Sequence, residues 1–149
     1  MIDLYNYKSN YKNKNQSDAR RNSFHFIFVS KYRYNGFRSA FISEIVKDIF
    51  NVVSQKYNIK IHTQETDVDH IHLFLELPTT MCVKQAILLL KSNTAHNIFT
   101  IFPGFKKRYP KGHFWSKYTY YESIGKVTAE TVRQYINEGQ KKFAQLHAN

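Results

Sequence analysis

Among the 149 residues, the run with the clearest chemical potential is His70-Ile71-His72-Leu73-Phe74-Leu75-Glu76-Leu77. Side chains of an extended strand alternate between faces, so Ile71, Leu73, Leu75 and Leu77 form one apolar row and His70 and His72 stand together on the other side. A spacing of about 6.6 Å along the strand lets both imidazoles converge on one divalent ion. His-x-His is by itself a common arrangement, and two half-exposed strand histidines with no ligand have the same pattern. A metal reading therefore needs a further ligand and a reacting group over the same face. Tyr135-Ile136-Asn137-Glu138-Gly139-Gln140 contains candidates for both. A tyrosine hydroxyl titrates near ~10, so as a nucleophile it needs a neighbouring cation or base, while a metal withdraws charge from the bond attacked. With eleven tyrosines in the chain, residue type alone does not single out Tyr135.

The elements that must position these groups follow from periodicity. Phe24 to Val29, inside Ser23 to Ser30, is β-branched and aromatic enough for a strand. Phe41, Ile42, Ile45, Val46, Ile49, Phe50 and Val53 recur at helical spacing and predict a helix from about Ser39 to Tyr57. Ile59 to Thr66 and His70 to Leu77 read as a hairpin turned at Asp67-Val68-Asp69. A second helix carries Val83, Ile87, Leu88 and Leu90 to about Phe102, where Pro103-Gly104 breaks it. A basic loop follows, then an aromatic strand from Phe114 to Tyr121. Thr128 is placed to cap a last helix with Val132, Ile136, Phe143 and Leu146 along one stripe. The order βαββαβ, plus one helix, predicts an α+β, ferredoxin-like split βαβ antiparallel sheet with helices on one face and the other face open. Residues 1–22, rich in Asn, Lys, Tyr, Ser and Arg, read as a flexible basic arm, and residues 23–149 as a single domain.

Composition narrows the function. A formal charge of +11 with 16% aromatics favours a polyanion, and nucleic acid before a membrane surface, because no basic amphipathic helix stands out. Single cysteine Cys82 excludes an intramolecular disulfide and fits a reducing, cytoplasmic setting. No apolar run reaches the ~20 residues that cross a bilayer, so no membrane association is expected. Lys106, Lys107, Arg108 and Lys111 are expected to meet phosphates, although such a cluster is also common in a solvated loop. Trp115, Tyr118, Tyr120 and Tyr121 suit either base stacking or a buried strand. His25, His62, His96, His113 and His147 lack paired strand spacing and read as surface or packing residues.

Asp67 to Leu73, followed roughly sixty residues later by Val132 to Gln140, resembles the small one-tyrosine transposases of single-stranded insertion sequences, the HUH (His-hydrophobe-His) class. Phe26 to Tyr34 with Ser30-Lys31-Tyr32-Arg33, Leu90-Lys91-Ser92 and Phe114-Trp115 are also similar, so the likeness spans about Phe24 to Lys142. It implies that His70, His72 and a glutamine after the tyrosine bind Mg²⁺ or Mn²⁺, and that Tyr135 attacks a phosphodiester of single-stranded DNA. The product would be a 5′-phosphotyrosine link with a free 3′-OH on the other fragment, and no ATP is needed because the ester holds the bond energy until rejoining. It further implies recognition of hairpins near the element ends, contacts from Lys31, Arg33 and Lys91, and a homodimer in which the tyrosine helix of one subunit completes the other's site. The family glutamine stands four residues after the tyrosine, where this chain has Gly139, with Gln140 one further on. A π-bulge at Gly139 is expected to bring Gln140 to the site, whereas a straight helix would leave Glu138 or water there. Two rivals remain: a non-catalytic single-strand binder on the same fold, which leaves the histidine pair unexplained, and a replication or mobilisation nickase, for which the chain is short.

Overall fold

The computed structural model describes residues 22–33, 36–37, 39–125 and 128–147; the side chains at 33, 129, 139, 140 and 142–147 lie outside that set. The expected basic arm, up to residue 21, also lies outside it. Strand β1 is Ser23–Ser30, helix α1 Ala40–Lys56, strand β2 Lys60–Thr66 and strand β3 His70–Glu76. Helix α2 is Val83–Ile101, the one-turn helix α3 Phe105–Arg108, strand β4 Trp115–Ile124 and helix α4 Ala129–His147. The four strands form one sheet in the order β2-β3-β1-β4, antiparallel at every junction. This is the split βαβ arrangement expected from the element order.

The register decides which residues reach the site. His72 lies opposite Ile27 on β1 and Glu65 on β2, and His25 lies opposite Phe74 and Glu122. Directly opposed residues share a face, so His25, His70, His72 and Glu122 are all on one side. The other side carries Phe26, Phe28, Ile71, Leu73 and Leu75, all 0% exposed, against Val46, Phe50 and Val53 of α1 and Ala86, Leu90 and Ile98 of α2. Burying a side chain of this size contributes roughly 1.5–3 kcal/mol. A one-residue slip would exchange the histidines with this apolar row, so core burial holds the histidine face in place.

Two junctions differ from the periodicity. β4 extends three residues past Tyr121, because its ladder with β1 continues to Ser23 opposite Ile124. The basic loop contains α3, which with the residue after it places Phe105 and Tyr109 against Phe114, while Phe102 packs on Phe105. The expected cap at Thr128 is present, its Oγ1 accepting from Thr131 N at 3.1 Å, and Ser39 Oγ caps α1 by accepting from Ile42 N at 3.5 Å. Among the described residues no helix is long and apolar enough to cross a membrane.

Two polar ties join α2 to β4. Trp115 Nε1 donates to Thr94 Oγ1 at 2.9 Å, with both residues buried. Lys91 Nζ donates to the carbonyls of Ser116 at 2.8 Å and Lys117 at 3.3 Å, and burial lowers the pKa of its ammonium below the ordinary lysine value. Lys91 therefore holds a helix to a strand, where a phosphate contact was expected. Lys91→Ala should lower stability to urea by about 1–3 kcal/mol, the usual worth of a charged hydrogen bond, while nucleic-acid affinity stays within about twofold. Unchanged stability with a large loss of affinity would restore the phosphate role.

Candidate functional site

His70 opens β3, immediately after the turn of residues 67–69. That turn is held from three sides: Ser30 N donates to the Asp69 carbonyl at 2.8 Å, Phe37 N to that of Val68 at 3.1 Å, and Asp67 N to that of His70 at 2.9 Å. The buried Asp69 carboxylate lies 2.7 Å from His70 Nδ1. A carboxylate only accepts, so Nδ1 carries the proton of neutral His70 and Nε2 carries its lone pair. The His70 and His72 rings stand edge to face, 5.0 Å between centroids. The structure thus brings the two expected ligands together on one face.

His72 is 2% exposed, and its Nδ1 lies 2.9 Å from Nε2 of His25. Its own Nε2 is buried with no hydrogen-bond partner among the described residues. Burial, with His70 and His25 beside it, lowers the His72 pKa from 6.5 to about 3, so the ring is neutral at ordinary pH. A neutral, desolvated imidazole with an orphaned nitrogen is what a metal ligand requires. The donor set thus fits a divalent ion held by His70 and His72. Among the described residues no cluster of three His, Cys, Asp or Glu side chains completes it.

The sequence reading missed His25, expected as a packing residue. It does pack, stacked on Phe74 at 4.4 Å, but it also bridges His72 to Glu122, whose Oε1 is 3.3 Å from His25 Nδ1. Neighbour pairing of β1 with β3 was the signal needed, and Glu122 fell beyond the expected end of β4. The centre of this face is consequently not open: His25, His70 and His72 are all buried.

Tyr135 of α4 lies over the same cluster, its ring centroid 5.9 Å from that of His25. α4 is α-helical throughout Ala129–His147, so the irregularity expected between Tyr135 and Gln140 does not occur. The side chain of Gln140 lies outside the described residues. Glu138, the alternative third ligand, is exposed and accepts from Gln134 Nε2 at 3.3 Å.

Of the expected phosphate contacts, Lys106, Lys107, Arg108 and Lys111 are exposed. They sit on the connection into the start of β4, and Lys31 N donates to the Phe114 carbonyl at 2.7 Å. Because Ser30 pairs with Trp115 and Val29 with His70, these cations gather at the His70 end of the sheet. The side chain of Arg33 lies outside the described residues. Trp115 is core, not a stacking platform; Tyr118, 78% exposed, and Tyr121, 53% exposed, are accessible aromatics of β4.

Residues 19–139 match the family model described as IS200-like transposase. The chain is 32% identical over 116 residues to the transposase for insertion sequence element IS200 of Salmonella typhimurium, covering 76% of this chain and 73% of that protein. Its fold is similar to a crystal structure from Deinococcus radiodurans described as that of a candidate transposase, with TM-score 0.63, 22% identity and coverage of 78% and 88% of the two chains. It is also similar to a REP-associated tyrosine transposase bound to a REP hairpin, with TM-score 0.54, 14% identity and coverage of 82% and 69%.

The His72 environment predicts a pH dependence. Near pH 6.5 and above, folded and unfolded chains both carry a neutral ring; as pH falls the unfolded chain takes a proton that the buried site refuses. Stability should therefore fall from about pH 6.5 toward pH 3, by up to about 1.4 kcal/mol per unit from this group. Urea titrations across that window should give a shallower slope for His72→Gln; an identical slope would exclude His72 as the group responsible.

Proposed function

The chain belongs to the IS200-like transposase family, and from that premise we propose that it cleaves and rejoins single-stranded DNA at the ends of an insertion sequence through a 5′-phosphotyrosine. The observation that carries this reading is the convergence of the His70 and His72 rings with Tyr135 seated beside them on His25. In this reading the Tyr135 hydroxyl oxygen attacks a phosphorus of the strand, the bond to the 3′ oxygen breaks, and that oxygen leaves as the free 3′-OH. The tyrosine ester then yields to a 3′-OH arriving from a second strand, so bond number is conserved and no nucleotide is consumed.

His70 and His72 are the residues that would hold Mg²⁺ or Mn²⁺; Gln140, about 140° round the regular helix from Tyr135, would join them only if α4 opened at Gly139, and otherwise Glu138 or water takes the third place. When bound, such an ion draws charge from the phosphate under attack and helps the phenol ionise. The chain's own residues do the rest. Lys31, Arg33 and the cations of α3 and its flank supply the sequence-independent part of affinity. The hairpin of the REP-associated relative supports the same class of DNA here, a strand folded back on itself. The proposed assembly is a homodimer exchanging tyrosine helices. Mixing Tyr135→Phe with His70→Ala subunits should then restore cleavage, and no recovery would place each site within one chain.

Incubating the protein with hairpin-bearing single-stranded DNA and Mn²⁺ and running a denaturing gel should give a covalent band. Tyr135→Phe should abolish it while retaining DNA binding, because only a hydroxyl is lost. His72→Ala should abolish it with hairpin affinity within about threefold, since affinity comes from the Lys and Arg contacts. A noncovalent shift with no covalent band in the wild type would favour the single-strand binder, and an adduct mapped to Tyr118, Tyr120 or Tyr121 would move the nucleophile.

A further inference from the structure

We propose that Glu122 and His25 form a positioning relay that fixes the tautomer of His72 and so makes its Nε2 a metal-binding atom; the inference rests on the reading of His70 and His72 as ligands. The chain of contacts crosses three strands, from Glu122 on β4 through His25 on β1 to His72 on β3, at 3.3 Å and 2.9 Å. The register enforces it, because Glu122 opposes His25, and His25 opposes Phe74, the next residue on His72's face.

Proton positions follow from donor and acceptor capacity. A carboxylate has no proton to give, so His25 Nδ1 donates to Glu122. Neutral His25 then has only a lone pair at Nε2, which can do no more than accept. His72 Nδ1 must therefore be the donor, which leaves the lone pair of His72 on Nε2, the buried atom with no hydrogen-bond partner among the described residues. Left to itself in water, a histidine side chain prefers its proton on Nε2, the position that blocks this site. The relay reverses that preference. Asp69 achieves the same for His70 in one step, at 2.7 Å from Nδ1, because it adjoins His70 in the chain. His72 sits mid-strand opposite the exposed Glu65 of β2, and the hydrogen-bonded path from its Nδ1 to a carboxylate runs through a second imidazole to Glu122.

The relay also orients the ring. His25 is 0% exposed, stacked at 3° on Phe74 and inclined by only 15° to His72. Its plane is thus set by packing and its two nitrogens by hydrogen bonds, which gives His72 a rigid acceptor. Outer partners of this type typically change metal affinity about 10–100-fold when removed.

The test is a long-range ¹H–¹⁵N correlation spectrum of metal-free protein, together with Mn²⁺ titration followed by the electron paramagnetic resonance of the free ion. Wild-type His72 should appear protonated at Nδ1 and bare at Nε2. Glu122→Leu, at a partly buried strand position, should shift His72 toward the Nε2–H form and weaken Mn²⁺ binding about tenfold. Glu122→Gln, which keeps an acceptor oxygen, should restore both. His25→Phe, which preserves the stack on Phe74, should give the full loss of about 10–100-fold. If both Glu122→Leu and His25→Phe leave the tautomer and affinity unchanged, the relay is wrong; if His25→Phe does not fold, Glu122→Leu against Glu122→Gln decides. A wild type with the stated tautomer that binds no Mn²⁺ would instead overturn the metal reading while upholding the relay.

Discussion

A neutral imidazole has one proton and one lone pair, and the site depends on where those protons sit. Two histidines hold one cation only if both turn a bare nitrogen toward it. Asp69 places the proton of His70, and Glu122 acting through His25 places that of His72. Burial does the complementary work by keeping His72 neutral, since an imidazolium there would face desolvation and two neighbouring rings. Without these placements the same two side chains would be ordinary buried histidines with their protons in the wrong positions.

The sheet exists, from the standpoint of function, to bring those groups into register. β3 contributes both histidines of the site because its alternation sends Ile71, Leu73 and Leu75 into the core between sheet and helices. β1 stands between β3 and β4, which is the only place from which one side chain can touch both neighbours. The split βαβ order produces this by inserting the first strand beside the third. The core face and the chemical face are therefore set by one register: a slip that spoiled the packing would also scatter the histidines.

Much of this was legible from residue order. The period-two pattern at His70 to Leu77 placed both histidines on one face, since a buried apolar row leaves no other side for them. Helix spacing recovered α1, and the turn and cap residues bounded β3 and α4. What escaped was long-range. His25 sits in the dense run Phe24 to Val29, where every neighbour looks like core, and its meeting with a residue 47 positions away depends on strand pairing that no local pattern encodes. Glu122 was lost because the aromatic run ends at Tyr121, whereas the ladder with β1 carries the strand on. Lys91 is expected at a phosphate only from the resemblance, whereas its Nζ donates to β4 carbonyls that no local pattern places beside it. At Gly139 a local irregularity was expected and the helix runs on regularly, since one glycine costs only about 1 kcal/mol there.

The central claim is that His70 and His72 together hold one divalent ion through their Nε2 atoms. Crystals of the protein soaked in Mn²⁺ and measured at the manganese absorption edge test it most directly. The account predicts a single strong anomalous peak in bonding contact with Nε2 of both rings, with Nδ1 of His70 still on Asp69 and Nδ1 of His72 still on His25. A peak bound elsewhere, or none between the two rings at saturating Mn²⁺, would contradict it.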